Sequence, residues 1–192
     1  MTRRNRQPRG VPRKALPQPS ARRPAASSRR RSPSLVHSGI PTVRGALAQR
    51  VAVDVACDGV RCPLGVERVR EIVRRTLKRC RVKDAMVSVA FVPARTIARL
   101  NREHLGHDGP TDVISFTLGA SGPNRAIVGD IYISPEVARA NAREFGAGVR
   151  EEIARLVVHG TLHVAGRDHP AGADRTKSAM WREQESLVRD VG

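Results

Sequence analysis

Aromatic side chains are scarce in this chain: three Phe, one Tyr and one Trp among 192 residues. A protein that holds single-stranded nucleic acid mainly by stacking bases needs an aromatic platform, and this composition excludes a rich one. Phe116 and Tyr132 fall on predicted strands, and Phe145 and Trp181 on predicted helices. Core packing is the expected role of each. Cysteine is also sparse. Cys57, Cys62 and Cys80 are odd in number and lack paired C-x-x-C spacing. This predicts reduced thiols rather than a secreted disulfide scaffold, and it argues against a closed cysteine zinc site. No apolar run approaches the length of a membrane span, so the expectation is a soluble, cytoplasmic protein with no membrane partner. Acidic residues are missing from residues 1–50, which hold 13 Lys and Arg and therefore a net +13. The other 142 residues hold 22 bases and 18 acids, leaving +4 of the total +17. The folded part is mildly basic, enough for a local phosphate patch but not diagnostic of one.

The segment MTRRNRQPRGVPRKALPQPSARRPAASSRRRSPS is rich in Arg, Pro and Ser and has almost no large apolar residues. It cannot bury enough surface to offset its chain entropy, so residues 1–45 are expected to be a disordered extension. Four readings of it stand: an RNA-attracting basic tail, an organelle transit peptide, a tolerated extension, or a false translation start. The last two are favoured. Residues 46–192 then form one domain.

Within that domain the hydrophobic pattern alternates between periods. VAVDVA (51–56), MVSVAFV (86–92), VISFTL (113–118) and AIVGDIYIS (126–134) read as strands. LGVERVREIVRRTLKRC (64–80) reads as an amphipathic helix with Val66, Val69, Ile72, Val73 and Leu77 inward. Pro93 opens a helix through ARTIARLNREHL, and GHDGPTD (106–112) is a loop. Ser134 as N-cap with Pro135 behind it opens a third helix. GVREEIARLVVHGTLHVAG forms a fourth, and residues 173–191 a fifth. The order β-α-β-α-β-β-α-α-α gives a small α+β domain, a four-stranded mixed sheet packed on helices.

Three of the six histidines fall within HGTLHVAGRDH, at His159, His163 and His169. Residues four apart share a helix face, Gly166 stands where a left-handed C-cap would end the helix, and the third imidazole can swing in beside the other two. Three neutral imidazoles suit a borderline ion such as zinc and leave a fourth coordination position open. The spacing imitates the zincin pattern H-E-x-x-H-x-x-G-x-x-H. Gly160 stands where a zincin peptidase has its general base, which removes the proton acceptor of peptide hydrolysis. A metal ion that lowers the pKa of water to about 7 can still support another hydrolysis. Asp168 has two readings: an acceptor that orients an imidazole from outside the metal shell, or a turn residue.

HGTLHVAGRDH resembles the signature of the YbeY family, bacterial metal-dependent endoribonucleases of ribosomal RNA maturation. LNREHLGHDGPTDVISF (100–116), GDIYIS (129–134) and MWREQESL near the C-terminus are similar to its other segments, in the same order, from about Val51 to Val191. The resemblance implies that His159, His163 and His169 hold one zinc. It implies a single-strand-specific endoribonuclease acting on the 3′ end of 16S ribosomal RNA and in ribosome quality control, with the small ribosomal subunit as partner. Alternatives are a ribosome-assembly factor with a mainly structural zinc, or another zincin-like metal hydrolase. His104 stands where the family has an aromatic, and Leu105 where many members carry an arginine. The loop histidine His107 is a candidate catalytic residue, through phosphate contact or proton transfer; its alternative is an exposed polar loop position. Thr111 and Asp112 are read equally as turn and strand-start residues. Oligomeric state is left open.

Overall fold

The structure is a computed structural model and describes residues 51–121, 126–170 and 173–191. The basic extension, residues 1–45, lies outside the described residues. The described chain is an α+β fold with a mixed four-stranded sheet, as the alternating pattern predicts. Its strands are β1 (Val51–Cys57), β2 (Ala85–Phe91), β3 (Val113–Ser121) and β4 (Ala126–Ile133). Its helices are α1 (Val66–Arg79), α2 (Ala94–Leu100), α3 (Pro135–Glu144), α4 (Val149–Val164) and α5 (Ala179–Val191).

The strands lie in the order β1-β2-β4-β3. β1 and β2 are parallel and joined through α1, β2 and β4 are parallel, and β3 returns antiparallel to β4. Because side chains alternate across a strand, Val87, Val89, Phe91, Ile131 and Ile133 all point to one face. There they meet the buried stripes of α1 (Val69, Ile72, Val73, Leu77), α4 (Ile153, Leu156, Val157) and α5 (Met180, Leu187, Val188) in one core. On the other face α2 supplies Ile97, which packs with Val92 and Ile114; Leu105, Phe116 and Tyr132 line this smaller cluster.

α4 sits unusually close to β4. A Cβ on Gly129 would lie 2.6 Å from Val164 Cγ1, and one on Gly160 would lie 2.7 Å from Ile131 Cγ2. The two glycines, one on each element, permit the close approach. Thr117 of β3 also donates to the His163 carbonyl at 3.3 Å, tying the C-terminal end of α4 to the sheet.

Four sequence expectations change. The predicted helix through His104 stops being α-helical at Leu100 and widens into a π-type turn over Asn101–Leu105, ending at Gly106 with φ 71°. Asn101 holds the following loop by donating its side-chain N–H to the Gly109 carbonyl at 2.9 Å. Ser134 does occupy the N-cap of α3, but its buried hydroxyl makes no cap bond; its N–H donates instead to the Asp112 carbonyl at 2.9 Å. The single closing helix is broken into a 3-10 turn (Ala173–Lys177) and α5, because the Ser178 hydroxyl accepts the Trp181 N–H at 3.1 Å as a true N-cap. Finally, Cys57 and Cys62 are not reduced thiols: with Cα atoms 5.6 Å apart they are joined as a disulfide, and Cys80 is free. Sequence spacing cannot reveal the turn of chain that brings those two together.

Candidate metal centre

His159 and His163 lie one turn apart on α4, where the 3.6-residue repeat stacks their side chains. Their ring centroids are 4.6 Å apart and their Nε2 atoms 3.2 Å apart. The helix then stops abruptly. Gly166 takes φ 78°, its N–H donates to the His163 carbonyl, and the Arg167 N–H donates to the Leu162 carbonyl, both at 2.9 Å. This double reverse bond is a Schellman end, as the glycine predicts. The turn it makes returns His169 to within 5.4 Å of the His159 ring and 5.1 Å of the His163 ring. One nitrogen from each of the three rings lies within 4.8 Å of the others, an arrangement able to hold a metal ion.

The donor set fits such an ion. His159 Nδ1 is 2.7 Å from Gln184 Oε1, and His169 Nδ1 is 3.1 Å from the Pro170 carbonyl oxygen. His169 Nε2 is buried and has no hydrogen-bond partner among the described residues. Burial, reinforced by the neighbouring His163, pushes the His159 pKa down to about 3. Burial and His169 lower that of His163, against an opposing pull from Asp168. Both rings are therefore neutral near pH 7, the protonation state that metal ligation requires.

Asp168 serves the turn most directly: its Oδ1 accepts the His169 N–H at 2.7 Å. The same oxygen is 3.9 Å from His163 Nδ1, too far for a hydrogen bond but near enough for its charge to be felt. Gly160, at the zincin base position, points into the sheet at Ile131. Position 160 is a packing site here.

The second pair of histidines is arranged differently. His104 packs edge-on against Phe116 with centroids 5.2 Å apart, and Phe116 in turn against Tyr132 at 6.1 Å. Leu105 lies partly buried on the small cluster around Ile97. His107 Nε2 is buried and without a hydrogen-bond partner among the described residues, and the three-imidazole cluster does not include it. Asp112 is committed to structure, accepting the Val113 N–H at 2.8 Å and the Asn141 side-chain N–H at 3.1 Å.

Sequence reasoning missed Gln184. It is 2% exposed and occupies a core position of α5, aligned with Met180, Leu187 and Val188. A polar residue in that apolar stripe was the available signal.

Comparison with known proteins agrees with this geometry. Residues 63–192 match the sequence model of the family described as "Endoribonuclease YbeY". The chain is 34% identical over 134 residues to the Endoribonuclease YbeY of Geobacter sulfurreducens, covering 68% of this chain and 87% of that one. It is 34% identical over 125 residues to that of Persephonella marina, covering 64% and 81%. The solution structure of a Thermotoga maritima protein aligns with a TM-score of 0.53 at 31% identity, over 72% of this chain and 88% of the other. With two thirds of its length matched by the family model and the histidine segment inside that match, the chain belongs to the YbeY endoribonuclease family.

Proposed function

We propose that this protein is a zinc-dependent, single-strand-specific endoribonuclease of ribosomal RNA maturation, acting at the 3′ end of 16S RNA and in ribosome quality control. The small ribosomal subunit is its partner and the cytoplasm its compartment. Residues 46–192 are the functional domain, and residues 1–45 an extension to it. His159, His163 and His169 are the ligands of one zinc per chain. The observation that carries the metal is the convergence of three ring nitrogens within 4.8 Å while the outward Nδ1 atoms of His159 and His169 are already hydrogen-bonded.

A zinc ion held there supplies Lewis acidity toward a phosphoryl oxygen and lowers the pKa of water. The chain's own groups do the rest. Asp168 fixes the turn that presents His169 and places its negative charge near His163. Arg175, over the Trp181 ring, adds its charge to the burial that lowers the pKa of His159 and His163; a cation whose field reaches these rings also favours an approaching phosphate. His107 serves as the catalytic side chain of the neighbouring loop, contacting phosphate or moving a proton. With aromatics scarce, recognition rests on phosphate contacts and on the ribosomal context rather than on base stacking.

The test is an RNA cleavage assay on protein purified without added metal, with and without a chelator. Cleavage that stops on chelation and returns with zinc supports the reading. Cleavage unaffected by chelation, with no bound metal by elemental analysis, removes it.

A further inference from the structure

Three imidazoles can share one ion only if each turns an unprotonated nitrogen inward and keeps its proton on the other. For one of the rings a backbone oxygen settles the matter, because a carbonyl can only accept. His169 Nδ1 faces the Pro170 carbonyl at 3.1 Å. His163 turns Nε2 toward His159 Nε2 at 3.2 Å, which leaves Nδ1 outward, 3.9 Å from the Asp168 carboxylate. His159 has no such carbonyl. Its Nδ1 faces a glutamine amide, and an amide can present either an acceptor or a donor.

What settles the third ring lies farther away. Gln184 Nε2 is 3.1 Å from Glu185 Oε1. A carboxylate only accepts, so the amide must turn its NH2 to Glu185 and its oxygen to His159. The ring must then donate from Nδ1, and the lone pair left on Nε2 faces His163 and His169. Glu185 is held in turn by Arg155, whose Nε reaches Glu185 Oε1 at 3.1 Å. Arg155 also donates to Glu152 at 2.8 Å and to Glu151 at 2.8 Å. Its side chain is 12% exposed and that of Glu152 is 4%, while Glu151 stands at the exposed edge of the cluster. Burial alone would weaken the guanidinium charge, but the three carboxylates reverse this and hold it firmly protonated. Arg155 stands one turn before His159 on α4, while Gln184 and Glu185 are on α5. The chain of bonds therefore leaves the metal-centre helix, crosses to its neighbour and comes back.

We propose that Gln184 is a positioning residue of the metal centre: oriented by Glu185 and Arg155, it fixes His159 as the Nδ1–H tautomer and aims Nε2 at the ion. This rests on the metal reading above, and its test separates the two. The full-length protein with 15N-labelled histidine is measured metal-free and with added zinc. The parent should show the His159 proton on Nδ1 in both states. Gln184→Leu should lose that signature in the metal-free protein and bind zinc about ten- to a hundredfold more weakly, the range seen when such outer partners are removed. Glu185→Ala should weaken the same resonance. A role confined to packing would lower thermal stability and leave the tautomer alone. A Gln184→Leu variant with the parent's resonance and affinity overturns the proposal, and a full-strength resonance in Glu185→Ala overturns the relay to Arg155. The parent alone decides if the variants fail to fold. With the proton on Nε2 and zinc bound, this assignment falls and the metal reading stands; with the proton on Nδ1 and no zinc bound, the reverse holds.

Discussion

Five histidines of the described chain divide into two groups whose chemistry is identical and whose surroundings are not. His159, His163 and His169 sit on a helix and the turn that caps it, with ring centroids between 4.6 and 5.4 Å apart. His104 and His107 sit on a π-type turn and the loop after it, one packed on Phe116 and the other outside any cluster of possible ligands among the described residues. The difference is one of backbone. α4 has a fixed repeat and a Schellman end, so three side chains are aimed by hydrogen-bonded main chain. The loop is held at its two ends, by Asn101 and by Asp112, and has no helical repeat to aim its histidines. Convergence, more than the presence of histidine, is what separates a candidate metal centre from a polar surface.

The largest effect should come from breaking the first group. His163→Ala removes the ring that stands between the other two elements of the cluster, and the purified protein should lose most of its zinc by elemental analysis. His104→Ala should keep it and lose only an edge-on ring contact, worth about 0.5–1.5 kcal/mol. Equal zinc in the two variants would erase the distinction between the groups.

A second effect concerns protons. In the folded, metal-free chain His159 has a pKa near 3, against 6.5 for the ordinary side chain. The folded value is depressed, so the unfolded chain takes up the proton first. Stability from this group is complete above pH 6.5 and is lost as pH falls from there toward 3. The slope reaches about 1.4 kcal/mol per pH unit for one proton. His163 adds in the same direction. Thermal unfolding of metal-free protein between pH 7 and 4 should show the loss, and His159→Gln should make the profile shallower. An unchanged slope in that variant would mean His159 is hydrated in solution.

Much of this centre was legible in the sequence because its signals are local. The pair on α4 follows from a spacing of four, and the turn that returns His169 follows from Gly166. The strands and the helical stripes of α1 and α4 follow from their two hydrophobic periods. The polar break in the α5 stripe marks Gln184, but its role was not legible, because its partner is 25 residues away on another helix and only packing brings them together. The Cys57–Cys62 bond likewise depends on how the chain leaves β1. Gly160 shows a subtler limit. The sequence marks it as a missing base, which is a statement about chemistry; the structure gives the physical reason, which is that Ile131 occupies the space.

That reason has a measurable consequence. Gly160→Ala should gain helix propensity of about 1 kcal/mol yet lose more, since its methyl would meet Ile131 Cγ2 at 2.7 Å and overpacking typically costs about 1–3 kcal/mol. A lower melting temperature is expected, with His159 and His163 drawn away from the sheet and zinc affinity reduced. Gly160→Ala paired with Ile131→Ala, which removes Cγ2, should cost less than the two single changes added together. A melting temperature above the parent's would show that the helix has room to spare.

The smallest expected effect belongs to the second group, and it decides whether that loop reaches substrate at all. Leu105 occupies the position where the family resemblance places an arginine, and it lies half-buried beside Ile97 and Ile114. A guanidinium there can clamp a phosphate through two parallel hydrogen bonds; leucine cannot. An arginine also has a long apolar stem that can lie along the same cluster while its head reaches water. Leu105→Arg should therefore leave the melting temperature nearly unchanged and raise RNA cleavage severalfold, without altering zinc content. His107→Ala should lower cleavage in the parent but little in the Leu105→Arg background, because the new cation takes over the phosphate contact. Such non-additivity is expected only of residues that share a partner. If both variants cleave as the parent does, the loop does not touch the scissile phosphate, and Arg175, over the Trp181 ring, becomes the cation to test in its place.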